Sequence, residues 1–386
     1  MPAHALPPRA STVEQRVLDL AVQIQGIPAP TFEERERSDF VQSLFTTEQL
    51  QDVEADSLHN VYARYPGKSS RNPLIVSAHL DTVFGADVPL EVSRRPGRVS
   101  GPGIGDNSLG VAALFGLIWT LQQRRAALAS DLWLVANVRE EGLGDLQGMR
   151  RVVARFGHQV LAYLVVEGTA LGQVYHRAVG VRRYRVRIST SGGHSWSDYG
   201  QPSAVHELAQ VITRITTMQL PDHPRTTVNV GMVSGGAGIN VVAPDARFEL
   251  DIRSETDIGL KEVVARVEAL LHSVQKKGVA VQVQVIGERP AGEIGADHWL
   301  VRLAGECLAE QGYAATFTSG STDANIPLSL GLPALVLGVT TGSGAHTPHE
   351  YIDTLPISKG LKQLARFVAT AMGHRAASAS HPARGK

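Results

Sequence analysis

Thiols are nearly missing from this chain, in which Cys307 is the one cysteine. A single thiol excludes an internal disulfide framework and fits a reducing compartment. Cys307 falls in a segment that predicts a helix, so we read it as a packing residue. Net charge is missing as well. Lysine plus arginine and aspartate plus glutamate both number 37, which leaves no excess to draw the chain to nucleic acid or to a membrane surface. No apolar run approaches the roughly 20 residues that a membrane span needs. The amino-terminal stretch MPAHALPPRASTVEQ has no apolar signal core. It reads as a disordered leader, which makes a cytoplasmic location the expectation. Internal repeats are absent too, and the low-complexity sequence is confined to an Ala/Ser/His tail beyond Gly373.

What is present is long enough, at 386 residues, to predict two domains. The chain is organised around Leu74 to Phe84, LIVSAHLDTVF. Leu74, Ile75 and Val76 form an unbroken apolar run, the pattern of a strand buried on both faces. That strand delivers His79 and Asp81 to its C-terminal end, where ligands sit in an α/β sheet. Alternation puts both side chains on one side of the backbone. His79 then suits a metal, with Asp81 fixing or polarising its ring. By itself such a pair is equally an ordinary strand-to-loop turn.

Acidic residues then recur at matching places. GPGIGDNSLG, residues 101–110, is a glycine-rich loop holding Asp106, and the apolar helix Val111 to Leu121 follows it. DLWLVANVREE, residues 131–141, predicts a buried strand ending in Glu140 and Glu141, and YLVVEG, residues 163–168, one ending in Glu167. GAHTPHEY places His346 and His349 in a late loop. Imidazole and carboxylate donors without thiolates suit zinc, and also cobalt or manganese.

The ordered series HxD, GxGDN, EE, a lone acid and HxxxE resembles the co-catalytic di-zinc hydrolases of metallopeptidase clan MH. That family includes tripeptide aminopeptidase, carboxypeptidase G, aminoacylase and succinyl-diaminopimelate desuccinylase. The resemblance implies two divalent ions, with Asp106 as the bridging ligand, His79 and Glu167 completing one site, and Glu141 and His346 the other. His346 is chosen over His349 because the family histidine stands four residues before a glutamate, here Glu350. Glu140 is left as general base, moving a proton from water to the leaving nitrogen.

The first helix is expected from the capping-box pattern Ser11 to Glu14 and to stop before Ile27. A second, Phe32 to about Phe45, is expected to carry its charges on an outer face. In the middle of the chain the pattern changes. VGVRRYRVRIST, residues 179–190, places Arg183, Arg185 and Arg187 on one strand face and Tyr184, Val186 and Ile188 on the other, which predicts a half-solvated sheet. The order βαββαβ predicts a small antiparallel sheet covered by two helices.

In the family this insertion is a lid or dimerisation domain. The expected architecture is therefore α/β: a mixed-sheet catalytic domain with helices on both faces, at 1–177 and 290–386, and an inserted α+β lid at 178–289. The resemblance implies a homodimer formed through the lid, with His194 stabilising the oxyanion in the partner subunit's site. Asn240, in a loop like the family loop that touches substrate, is a candidate substrate contact. Thr322, in the loop 319–323, is another, although that loop also reads as a simple turn. Arg253 fits either a substrate carboxylate or an ordinary sheet edge.

Glutamate at 167 goes with deacylases and carboxypeptidases in the family, and aspartate with aminopeptidases and dipeptidases. N-acyl amino acids or small peptides cut at a C-terminal residue are therefore the expected substrates. An aminopeptidase or dipeptidase is the alternative. A non-catalytic binding protein is the third reading, and Glu140 argues against it, since binding needs no general base.

Overall fold

The computed structural model describes residues 11–379, the side chains of 374–379 excepted. Residues 1–10 of the stretch read as a leader, and the end of the tail, lie outside these. The chain divides into two compact units, one of residues up to Arg177 together with those from Glu293, the other Ala178–Gly292.

In the first unit, the opening helix is Val13–Gln25. Its cap is Thr12 rather than Ser11: the Thr12 hydroxyl accepts from the Gln15 amide at 3.3 Å. Thr12 and Gln15 have capping-box spacing themselves, shifted one residue from the expected pair. The second helix is Arg35–Thr47, and its charges do not all face outward. Glu34 and Arg37 are buried. Arg37 is drawn inward by carbonyls, donating from Nε to Ile27 O at 2.9 Å and from Nη1 to Leu80 O at 2.7 Å.

A mixed sheet follows, in the spatial order Gln51–Ala55, Val61–Tyr65, Leu132–Asn137, Leu74–His79, Ala162–Glu167, Ala334–Gly338, Gln173–Ala178. The strands from Leu132–Asn137 to Ala334–Gly338 run parallel, and antiparallel strands flank them. Every residue of Leu74–His79 is buried, as its apolar run demands. Part of that cover is the helix Gly110–Gln123, buried from Gly110 to Leu121. Ile104–Gln123 is long and apolar enough to cross a membrane by composition, but 94% of that window is buried as a core helix. From Leu74–His79 the chain passes to Leu132–Asn137 on one side, then to Ala162–Glu167 on the other. The carboxyl end of the central strand is thus a topological switch point, where α/β sheets bind ligands.

The second unit is an antiparallel sheet in the order Thr226–Gly235, Asp245–Ser254, Gly180–Thr190, Val279–Arg289. The helices Ala204–Thr216 and Asp257–Val274 share one core with it, Val186, Phe248 and Ile252 of the sheet packing with Val211, Val263 and Val267 of the helices. On strand Gly180–Thr190, Tyr184, Val186 and Ile188 are buried while Arg183, Arg185 and Arg187 lie on the opposite face. Each arginine meets a carboxylate of the neighbouring strand: Arg183 with Asp251 at 2.9 Å, Arg185 with Glu249 at 2.7 Å, Arg187 with Asp245 at 2.5 Å.

Candidate metal centre

Four parallel strands point their carboxyl ends at one place. His79 and Glu167 are the last residues of their strands. The strand expected to reach Glu141 stops at Asn137, and Glu140 and Glu141 stand in the turn beyond it. Asp81 fixes that turn, Oδ1 accepting from the Glu140 amide and Oδ2 from the Glu141 amide, each at 2.9 Å. Thr31 Oγ1 donates to the same carboxylate at 2.9 Å.

Asp81 reaches the His79 ring first through its main chain. The His79 Nδ1 donates to the main-chain carbonyl of Asp81 at 3.1 Å, whereas its distance to the Asp81 carboxylate is 3.6 Å, too long for a hydrogen bond. Because a carbonyl only accepts, neutral His79 carries its proton on Nδ1. Nε2 is thereby the nitrogen that faces Asp106 and would serve a metal.

Asp106 sits in the turn Ile104–Leu109, before the core helix. Its Oδ1 lies 3.1 Å from His79 Nε2 and its Oδ2 3.1 Å from His346 Nε2. Glu167 Oε2 is 3.8 Å from His79 Nε2, and Glu141 Oε1 is 3.3 Å from His346 Nε2. One donor atom each from His79, Asp106 and Glu141 fall within 4.8 Å of one another. Asn107 stitches the turn to the strand carrying Glu167, donating to Val166 O at 2.9 Å and accepting from the Gly168 amide at 3.0 Å.

Burial opposes charge on Asp106, but hydrogen bonds with His346 and His79 outweigh it and hold the carboxyl well below its ordinary range. Burial likewise opposes protonation of His79, and Asp106, Asp81, Glu167 and Glu140 reverse that, pushing it well above its ordinary value. Hydrogen bonds to Asp106 and Glu141 raise His346 to about 10. Burial pushes Glu167 well up, and the charges of Asp106, Glu140 and Asp323 add to it against the opposing pull of His79. Carboxylates crowded in a buried site need positive charge to balance them. The donor set fits two divalent ions: imidazole and carboxylate only, with one carboxylate offering an oxygen to each half.

The remaining candidates are placed variously. His349 is exposed, its amide bonded to Thr347 Oγ1, and it takes no part in the cluster. Thr322 serves a turn, its hydroxyl accepting from the Ala324 amide at 3.2 Å. Arg253 lies near the end of strand Asp245–Ser254, with Nε on Asp251 Oδ2 at 2.6 Å. His194 and Asn240 come together: Gly193–His194 pairs with Val241–Val242, and the Ser195 amide donates to Asn240 O at 3.0 Å. Both are exposed. The His194 Nδ1 accepts from the amides of Trp196 at 3.2 Å and Ser197 at 3.4 Å, which leaves Nε2–H as an outward donor in the neutral ring. Sequence reasoning missed Thr31 and Asn107. The GDN triplet was a signal for Asn107, but the charge-rich stretch after Thr31 gave none for Thr31.

An α/β protein whose parallel strands bring an aspartate, two histidines and further glutamates together has the make-up of a metal-dependent hydrolase. The chain belongs to peptidase family M20/M25/M40, whose model matches residues 75–370. It is similar to a probable carboxypeptidase of Trichophyton verrucosum, with 24% identity over 260 residues, 61% of this chain and 55% of the relative. It is similar to acetylornithine deacetylase of Myxococcus xanthus, with 25% identity over 345 residues, 84% of this chain and 87% of the relative. Its fold is similar to a tripeptidase of Staphylococcus aureus, with TM-score 0.79, 20% identity, and 93% of this chain and 99% of the other covered. The chain spans between 55% and 64% of the length of the fungal probable carboxypeptidases it matches.

Proposed function

We propose that this protein is a metal-dependent hydrolase of an amide bond in N-acyl amino acids or small peptides, of the deacylase or carboxypeptidase type. The observation that carries the reading is the Asp106 carboxylate, with one oxygen 3.1 Å from each of two histidine nitrogens. That carboxylate would bridge two divalent ions, with His79 and Glu167 holding one and Glu141 and His346 the other. Zinc suits these donors, as do cobalt and manganese. When bound, the ions supply Lewis-acid polarisation of the substrate carbonyl and a water of lowered pKa.

The chain's own groups do the rest. Glu140 is outside both donor sets, and its amide is fixed by Asp81. Its carboxylate takes the water's proton and delivers it to the leaving nitrogen, so that the amine departs neutral. The outward Nε2–H of His194 meets the negative charge that develops on the carbonyl oxygen. We assign that contact to the site of a second copy, with the exposed Asn240 beside it as a substrate contact. Glutamate at 167 and the carboxypeptidase and deacetylase relatives support the substrate class.

The test combines metal analysis with a substrate panel. About two divalent ions per chain, activity lost on chelation and restored by zinc, and turnover of N-acyl amino acids or C-terminal peptide bonds are the expected results. Activity that survives exhaustive chelation with no bound metal would falsify the mechanism. Turnover confined to free-amino-terminal peptides would instead make the protein an aminopeptidase or dipeptidase.

A further inference from the structure

Glu350 entered the sequence analysis only as a spacing marker after His346, yet it is buried and its carboxylate does specific work. Oε1 accepts from the amides of Gly105 and Asp106, both at 2.7 Å, and Oε2 accepts from the amide of Gly103 at 2.9 Å. The Glu350 main-chain carbonyl takes a fourth amide of the same loop, Gly101, at 2.9 Å. Successive amides converging on one anion form a nest. Here the anion is part of the chain, some 240 residues away in sequence at separations of 244 to 247.

The surroundings are shaped to admit it. A Cβ on Gly105 would stand 2.9 Å from Glu350 Oε1 and 2.5 Å from Thr169 Cγ2. Gly103 adopts φ +69°, the left-handed region that favours glycine. Glu350 also leads into the strand Tyr351–Asp353, which pairs with Arg98–Ser100 just before the loop. On its other side, four residues back, stands His346 at φ +64°.

We propose that Glu350 is a positioning residue: its carboxylate locks the 101–106 loop to the His346 loop, so that Asp106 presents one oxygen to each histidine. The inference rests on the metal-site reading above. No other residue type meets the demand. Glutamine would turn an NH2 towards one of three N–H donors. Aspartate is one methylene short, and alanine would leave three amides without an acceptor.

The experiment compares wild type, Glu350→Gln, Glu350→Asp and, as a core control, Ile357→Val at a buried residue of the last helix. Hydrogen exchange of the 101–106 amides is followed in metal-free protein, and zinc affinity is measured by chelator competition. Glu350→Gln is expected to keep wild-type far-UV circular dichroism, to exchange these amides faster, and to bind zinc about 10–100-fold more weakly. Glu350→Asp should fall between it and wild type, and Ile357→Val should change neither readout. If Glu350→Gln does not fold, Glu350→Asp carries both readouts. Unchanged exchange, or unchanged zinc affinity, in the folded variant overturns the proposal. A wild-type chain that binds no zinc defeats the metal-site reading instead, and the exchange measurement still decides whether Glu350 holds the loop.

Discussion

Glu140 and Glu141 are identical in chemistry and adjacent in sequence, so only their backbone setting can give them different work. Asp81 takes both amides, and the turn sends Glu141 Oε1 to within 3.3 Å of His346 Nε2. The charge of Glu140 acts on His79 and Glu167, in the other half of the cluster. Glu140→Gln is therefore expected to keep both metals and to lose about 10²–10⁴ in turnover, checked by metal analysis beside kcat. A variant that sheds metal instead would exchange the roles of the two glutamates. The cluster was legible because its side chains are of types that bind metals and stand where strands end. The residues that hold those side chains were not. Arg37 reads as a surface charge, and nothing in the sequence marks the carbonyls of Ile27 and Leu80 as acceptors awaiting it. Asp81 was legible as a partner of His79, but that its carboxylate would serve two amides depends on a turn the sequence does not describe.

At the scale of elements, the two kinds of strand were told apart by their patterns. Unbroken runs such as Leu74 to Val76 gave buried parallel strands, and the Arg/Tyr alternation at 182–188 gave the half-solvated sheet. Ends were less legible, because a strand stops where its partner stops: Leu132–Asn137 ends where His79 pairs with Asn137. The charge ladder of the second unit has a measurable consequence. Burial raises the Asp251 carboxyl, but the Arg253 and Arg183 guanidiniums outweigh it and hold it below its ordinary range. A carboxyl depressed in the folded state contributes stability that is present above its unfolded pKa, about 4, and is lost as pH falls through the folded value. Asp251→Asn is expected to cost about 1 kcal/mol near neutrality. The gap in Tm between it and wild type should close as pH falls from 5 towards 3. A gap that stays constant over that range would show that the pair adds nothing that depends on ionisation.

At the scale of the whole molecule, the change of pattern near residue 178 announced a second unit, but the apolar side chains it exposes left no such mark. In that unit Trp196 is 86% exposed, Tyr199 91%, and Ile239 fully exposed, all near the His194 and Asn240 pair in sequence. Large exposed apolar side chains around a histidine with an outward donor suit contact with another protein surface. His194→Ala is expected to lower turnover about 10²–10³-fold with metals and fold intact, the usual effect of losing one oxyanion donor. Mixed dimers then decide where the histidine acts. Pairing a His194→Ala chain with a Glu140→Gln chain places both defects in one site if the histidine reaches across. The other site is then complete, and roughly half of wild-type activity per heterodimer returns. If the histidine serves its own chain, each site keeps one defect and no activity is recovered. A protein that is monomeric and fully active at working concentration would end the two-chain proposal outright, whatever the single variants show.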